Sequence, residues 1–380
     1  MERLPRATLL GATIASGAVA LLGLAWMLGL WPNPYAGPAG VPLAGFAGPV
    51  LLTGLAGPDV ATTLHVVTAL TGVAAGIAGL AGALGVRGRV GTGALQLIVF
   101  GVLLQGTGPL ATMGYLVALL MPLAVVVMLI QLVRRYPVAR WAIGVPGLVA
   151  LVVGVVLARD ALTGLATGIL GVFLSHGVTV LITLLILALG TLWAMVGVQA
   201  LSGVSAMERA TAWVVRHRRA ITIAAATGPL PYALARLTWF TPWPQLGEYD
   251  MDMSTRIWGI TLSSAAWLGF FLTLGLIRSW GEVFPRWMPG LAGRRVPITA
   301  AAVPGGLIAV TLIFSAIPML VTASEHSVSD QIVSAIAFPC WYWGPALALA
   351  VWGYVAHRLQ SERAAALDAA DTSLDRLPAA

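Results

Sequence analysis

The chain contains no lysine; all 21 of its basic residues are arginine. That absence removes a rhodopsin-like Schiff base and also the phosphate-binding loop, which needs its lysine. Charge of either sign is scarce as well. Only 9% of residues are charged and 59% are hydrophobic, whereas an ordinary soluble domain is about a quarter charged. Such a chain cannot cover a water-facing surface, so lipid must be its solvent. Cysteine is nearly missing: with Cys340 alone, no intramolecular disulfide can form. No Asp or Glu falls clearly within a long apolar run, which argues against a buried carboxylate proton relay and against a voltage sensor.

Several local motifs are absent too. There is no HExxH zinc motif, no Gly-x-Ser-x-Gly elbow and no haem-type Cys-x-x-Cys-His, and Ser, Cys and His form no local nucleophile arrangement. No catalytic residue and no cofactor are expected. The net charge of +7 is divided among short loops. A nucleic-acid binder gathers its charge on one face, so nucleic acid is not an expected partner.

What the chain does have is apolar runs of membrane length. A bilayer core about 30 Å thick needs roughly 20 apolar residues in a helix. Runs of that kind lie near 8–30, 60–85, 92–107, 112–133, 141–159, 176–200, 219–239, 257–278, 298–322 and 332–356. The first follows Met1 to Arg6 in the manner of a signal peptide, but it is long enough to span and we read it as a retained helix. The stretch 92–133 is nearly continuous. We divide it at Gly106-Thr-Gly-Pro109, with one helix plus a re-entrant piece as the alternative.

The expected fold is therefore all-α: a polytopic transmembrane bundle of about ten spans. Arginine placement orients it. With the N-terminus inside, 18 of the 21 arginines fall in inner loops, and only Arg159, Arg236 and Arg256 lie on or near the outer side. That bias predicts an N-in, C-in protein. One membrane domain is expected over 1–358, followed by a polar tail over 359–380 that begins as a short helix and frays. Similar Trp/Pro-rich turns at Trp31-Pro-Asn-Pro34 and Trp239-Phe-Thr-Pro-Trp-Pro244 allow a weak four-two-four arrangement of helices, although shared topology would produce the same matches.

Three regions carry most of the remaining polar character. The first is 278–297, where four arginines, two tryptophans and three prolines fall between two apolar spans. The prolines and glycines there forbid a continuous helix and predict a turn-like clasp. Glu282 has Arg278 and Arg286 at four-residue spacing, which would pair them only if the stretch were helical. The second region is Pro229-Leu-Pro-Tyr-Ala-Leu-Ala-Arg-Leu-Thr-Trp239, whose two prolines should break the seventh span. Arg236, with Tyr232 and Trp239 beside it, could bind an anion or a headgroup. The favoured alternative is an arginine that snorkels to the outer interface and pairs with a loop acid.

The third region is the outer acids. Glu248, Asp250 and Asp252, with Glu325, His326 and Asp330 of the next outer loop, could hold a divalent cation. Their spacing matches no metal motif, and a solvated loop accounts for the same residues. His65 and His176 read as hydrogen-bonded interfacial histidines, and the aromatic run Pro339-Cys-Trp-Tyr-Trp-Gly-Pro345 reads as packing around a kink.

The stretch Trp280-Gly-Glu-Val-Phe-Pro-Arg-Trp-Met-Pro-Gly-Leu-Ala-Gly-Arg-Arg-Val-Pro297 resembles a signature of polytopic membrane proteins from GC-rich bacteria. The turn Tyr232-Ala-Leu-Ala-Arg-Leu-Thr-Trp-Phe-Thr-Pro-Trp-Pro244 is similar to a stretch in the same group. The group carries no assigned activity, so the resemblance implies the membrane class and no site residue. The expected setting is the bacterial cytoplasmic membrane, with membrane lipids and a protein docking on the arginine-rich inner loops as candidate partners. Three functions follow as expectations. The first is a permease-like carrier of a neutral, lipid-like or anionic solute through Arg236, Tyr232 and Trp239. The second is a non-catalytic scaffold. The third is a metal-dependent envelope enzyme using the outer acids.

Overall fold

The computed structural model describes residues 3–36, 51–106, 108–117, 130, 141, 145–175, 177–247, 250–286, 288, 291–324 and 328–374. Among these residues the regular structure is helical, apart from one isolated antiparallel bridge between Val283 and Arg295. In chain order the helices are α1 (Arg3–Met27), α2 (Leu51–Ala56), α3 (Pro58–Leu80) and α4 (Val86–Ile98). A π-helical turn, Val99–Leu103, continues α4. Then come α5 (Val145–Leu157), α6 (Arg159–Ser175), α7 (Gly177–Leu201), α8 (Ser205–Arg216), α9 (Arg218–Thr227) and α10 (Leu230–Leu237). The last four are α11 (Met253–Gly275), α12 (Ile298–Ser324), α13 (Val328–Ala337) and α14 (Cys340–Leu374).

Seven helical stretches are long and apolar enough to cross a membrane, and α5 with α6 adds an eighth if that pair, bent by 75°, is one span. The protein is thus all-α with seven or eight candidate spans. Of the ten expected from sequence, 112–133 lies largely outside the described residues. The stretch expected at 219–239 is present as two short helices, α9 and α10, because Pro229 interrupts the ladder after Gly228. The tail differs from expectation: α14 runs unbroken from Cys340 through Leu374. Ala, Leu, Glu and Arg dominate residues 358–367 and are strong helix formers, so nothing stops the helix at the membrane edge.

Lipid tails are as apolar as leucine, so helices associate here by close packing rather than by escape from water. Small residues make that contact. A Cβ on Gly76 of α3 would meet the Thr13 side chain, and one on Gly79 would meet Leu9 at 2.8 Å. A Cβ on Gly93 of α4 would approach the Trp193 carbonyl of α7 at 2.9 Å. The result is a first core formed by α1, α3, α4 with its π turn, and α7, centred on Val19, Phe100, Leu189 and Trp193. A second core is formed around α9, α12 and α14, centred on Ala225, Leu312, Cys340 and Tyr354. The two meet where the Phe314 ring of α12 lies against Gly101 of the π turn and Gly190 of α7, neither of which has room for a Cβ.

Candidate functional site

Arg236 sits on the last turn of α10, one turn after Tyr232 and just before Trp239, so helical spacing alone brings the three together. Its guanidinium carbon lies 3.8 Å from the centre of the Trp239 ring and 4.9 Å from that of Tyr232. Tyr232 in turn stacks on Phe338 at 4.5 Å. The far face of Trp239 rests on Gly259 of α11, where a Cβ would not fit. A ladder of aromatic rings therefore holds the cation by its faces. Its edges are another matter. Nε and Nη1 of Arg236 are buried and have no hydrogen-bond partner among the described residues. The three residues singled out from sequence lie together; the outer-loop acids Glu248 and Glu325, which could pair with the cation, lie outside the described residues.

The turn above this ladder is firmly built. Trp239 Nε1 donates to the Gln245 carbonyl at 2.8 Å, and the Gln245 amide donates to Thr238 Oγ1 at 2.8 Å. Arg256, at the start of α11, donates through Nε to the Met251 carbonyl at 3.1 Å and through Nη1 to the carbonyl of Trp239. Thus Arg256 ties the turn together, while Nε and Nη1 of Arg236 meet no acceptor among the described residues.

The outer acids divide. Glu248, Glu325 and His326 lie outside the described residues, as does His176. Asp252 is the N-cap of α11: its carboxylate accepts the Thr255 amide at 2.9 Å, and the Thr255 side chain first, then that amide, hold the group below the usual carboxylate range. Asp250 is exposed. Among the described residues no group of three or more His, Cys, Asp or Glu side chains is placed to hold a metal ion.

His65 is hydrogen-bonded as expected, but it is fully buried rather than interfacial. Burial pushes the Tyr35 hydroxyl above its usual range, so it remains a donor, to His65 Nδ1 at 3.0 Å. Nε2 of the histidine then donates to the Val19 carbonyl at 3.1 Å. Trp26 and Phe100 each pack against the imidazole, with ring centres 5.0 Å away. Asn33 joins the same knot, donating to Thr62 Oγ1 at 2.8 Å and accepting the Tyr35 amide at 2.9 Å. With both ring nitrogens engaged, this histidine fastens the turn after α1 onto α3. The aromatic run in α14 also packs: Trp343 lies on Gly228, which has no room for a Cβ, at the break between α9 and α10.

The other built cluster is the clasp, at the opposite end of α11. The segments 282–286 and 291–296 lie back on each other: Phe284 N donates to the Arg294 carbonyl at 2.9 Å, Gly293 N to Phe284 O at 3.0 Å and Val296 N to Glu282 O at 2.9 Å. Since the stretch is not helical, Glu282 does not pair with Arg278 or Arg286. It faces Arg218 and His357 instead, each at 3.9 Å. Arg358, counted from sequence among the inner-side arginines, is 6% exposed. It donates to Val296 O at 2.9 Å and to Tyr354 Oη at 2.8 Å, while Tyr354 donates to Gly281 O at 2.8 Å.

Comparison with known proteins adds no name. No family model matches the chain, and no curated protein or solved structure is significantly similar to it. The chain is a polytopic membrane protein. That much rests on its membrane-length apolar helices.

Proposed function

We propose that the protein is a permease-like carrier of the bacterial cytoplasmic membrane, and that its solute is an anionic, lipid-like molecule held by Arg236. The observation that carries this reading is the guanidinium that lies against the rings of Tyr232 and Trp239 while its Nε and Nη1 are buried without an acceptor among the described residues. A buried donor left unmade costs on the order of 1–3 kcal/mol, and a charged one costs more. A carboxylate or phosphate oxygen would remove that cost, and the rings would pack against an attached apolar chain. The two cores, which meet at the Phe314 seam, suit a molecule that moves as two bodies.

The test is thermal unfolding of the detergent-purified protein across organic carboxylates, phosphate esters, lysophospholipids, neutral apolar solutes and divalent ions. A ligand at 100 times its Kd stabilises the native state by about 2.7 kcal/mol. The midpoint should rise with one anionic class only, and Arg236→Ala should abolish the rise without lowering the ligand-free midpoint. Arg236→Lys keeps the charge but loses the planar stack and should retain only part of it. The same solute should then enter proteoliposomes containing the wild type. A rise with metal ions alone, or one that survives Arg236→Ala, sinks the assignment.

A further inference from the structure

Charge is sorted by side within the clasp. Its single carboxylate, Glu282, is turned inward to Arg218 and His357. Its four arginines, Arg278, Arg286, Arg294 and Arg295, are all exposed, and none is in an ion pair among the described residues. Three large apolar side chains are exposed alongside them: Trp280, Val283 and Leu291. The Trp280 ring lies on Gly275, at the last turn of α11, so this surface begins where a candidate span ends. Positive-inside bias accounts for arginines being near a membrane. It does not account for a folded platform that turns its half-exposed acid toward Arg218 and His357 and leaves every cation exposed.

We propose that the clasp over 278–297 is an anionic-lipid site, taking the phosphate headgroups of the leaflet it faces on Arg278, Arg286, Arg294 and Arg295. Charge complementarity identifies the occupant: clusters of four or more basic residues beside a span attract anionic headgroups. Arginine suits phosphate because its planar fork donates two parallel hydrogen bonds to the oxygens. Trp280 fits the headgroup layer, and Val283 and Leu291 fit the acyl boundary just beneath it. An acidic soluble protein would meet the same charge, but those apolar side chains favour lipid. The site is independent of Arg236. That residue neighbours the first turns of α11 while the clasp follows its end, and 23 helical residues separate them by about 35 Å.

The experiment places the full chain in nanodiscs of phosphatidylcholine, alone or with increasing phosphatidylglycerol, and measures two things. These are the unfolding midpoint and, by native mass spectrometry, the phosphatidylglycerol retained. The variant is Arg278, Arg286, Arg294 and Arg295 all changed to Gln. The control removes equal charge elsewhere on the expected inner side, as Arg87, Arg209, Arg216 and Arg219 to Gln. Phosphatidylglycerol should raise the midpoint and be retained by wild type and control. The clasp variant should need more of it, by about fivefold for each arginine removed. Salt at about 1 M, which cuts the Debye length to about 3 Å, should abolish the effect in the wild type, a reading that needs no variant to fold. Equal losses in control and clasp variant would reduce the effect to general charge bias and overturn the proposal. So would an unchanged midpoint with phosphatidylglycerol, as expected if the surface takes an acidic protein, and so would an effect that survives high salt.

Discussion

Arg236 and Arg358 are the same residue type in opposite circumstances. Arg358 is buried and engages Tyr354, the Val296 carbonyl and Glu362, the last at 3.7 Å. Arg236 is held by ring faces, with two donors unmade. The first pattern fastens structure; the second awaits an acceptor. Sequence reading found the Arg236 group because Tyr232, Arg236 and Trp239 are one helical turn apart, a local relation. It missed Arg358 because Val296 is 62 residues away, and no spacing rule reaches that far. Asp252 offers a residue-scale test. Its folded carboxyl is depressed by the Thr255 hydrogen bond, so the stabilisation is present above the usual carboxylate value of about 3.9 and is lost as pH falls through the folded value. The midpoint difference between wild type and Asp252→Ala should be constant near neutrality and vanish in acid. Asp252→Asn, which caps without titrating, should show no such convergence. A difference that persists at low pH would mean that the carboxylate is not the cap.

At the scale of elements, what was legible is what prolines, glycines and apolar runs dictate locally. Pro229 does end α9, and the prolines in 278–297 do prevent a helix there. Less legible was where a helix continues. The residues after Gln360 read as a short separate helix, and they are helical as a direct continuation of α14 through Leu374, as the propensity of their alanines favours. The π turn at Val99–Leu103 had no sequence signal at all. It widens the helix beside Gly101 and Gly190, where the Phe314 ring, 1% exposed, is lodged between elements of the two cores. Burying that ring in lipid surroundings gains little from expelling water, so its worth is close contact. Phe314→Ala should therefore cost about 3 kcal/mol, the low end for loss of a buried phenylalanine. Phe314→Leu should recover most of it. Denaturant unfolding would measure both, and a cost near zero would show that the seam does not hold the bundles together.

For the whole molecule, the clasp shows how one loop can be anchored by helices distant in sequence. α11 delivers the chain to it, α12 takes the chain away, and α14 supplies Tyr354 and Arg358, whose bonds to Gly281 O and Val296 O hold its two ends. α9 adds Arg218 against Glu282. Those anchors differ in worth. The Glu282 pairs are long and the carboxylate is 37% exposed, so they contribute under about 1 kcal/mol. Removing Arg358 leaves a buried carbonyl unmet, on the order of 2 kcal/mol. Arg358→Met keeps the stem and removes the donors. Hydrogen exchange at the Phe284, Gly293 and Val296 amides should quicken in that variant, while amides of α1 and α3 keep their wild-type rates. Glu282→Gln should change the same amides far less. If Arg358→Met instead loosened both cores alike, the arginine would be holding the whole bundle rather than its clasp. A lipid surface built on the clasp would then be coupled to the entire fold, and the arginine variants would have to be read against stability first.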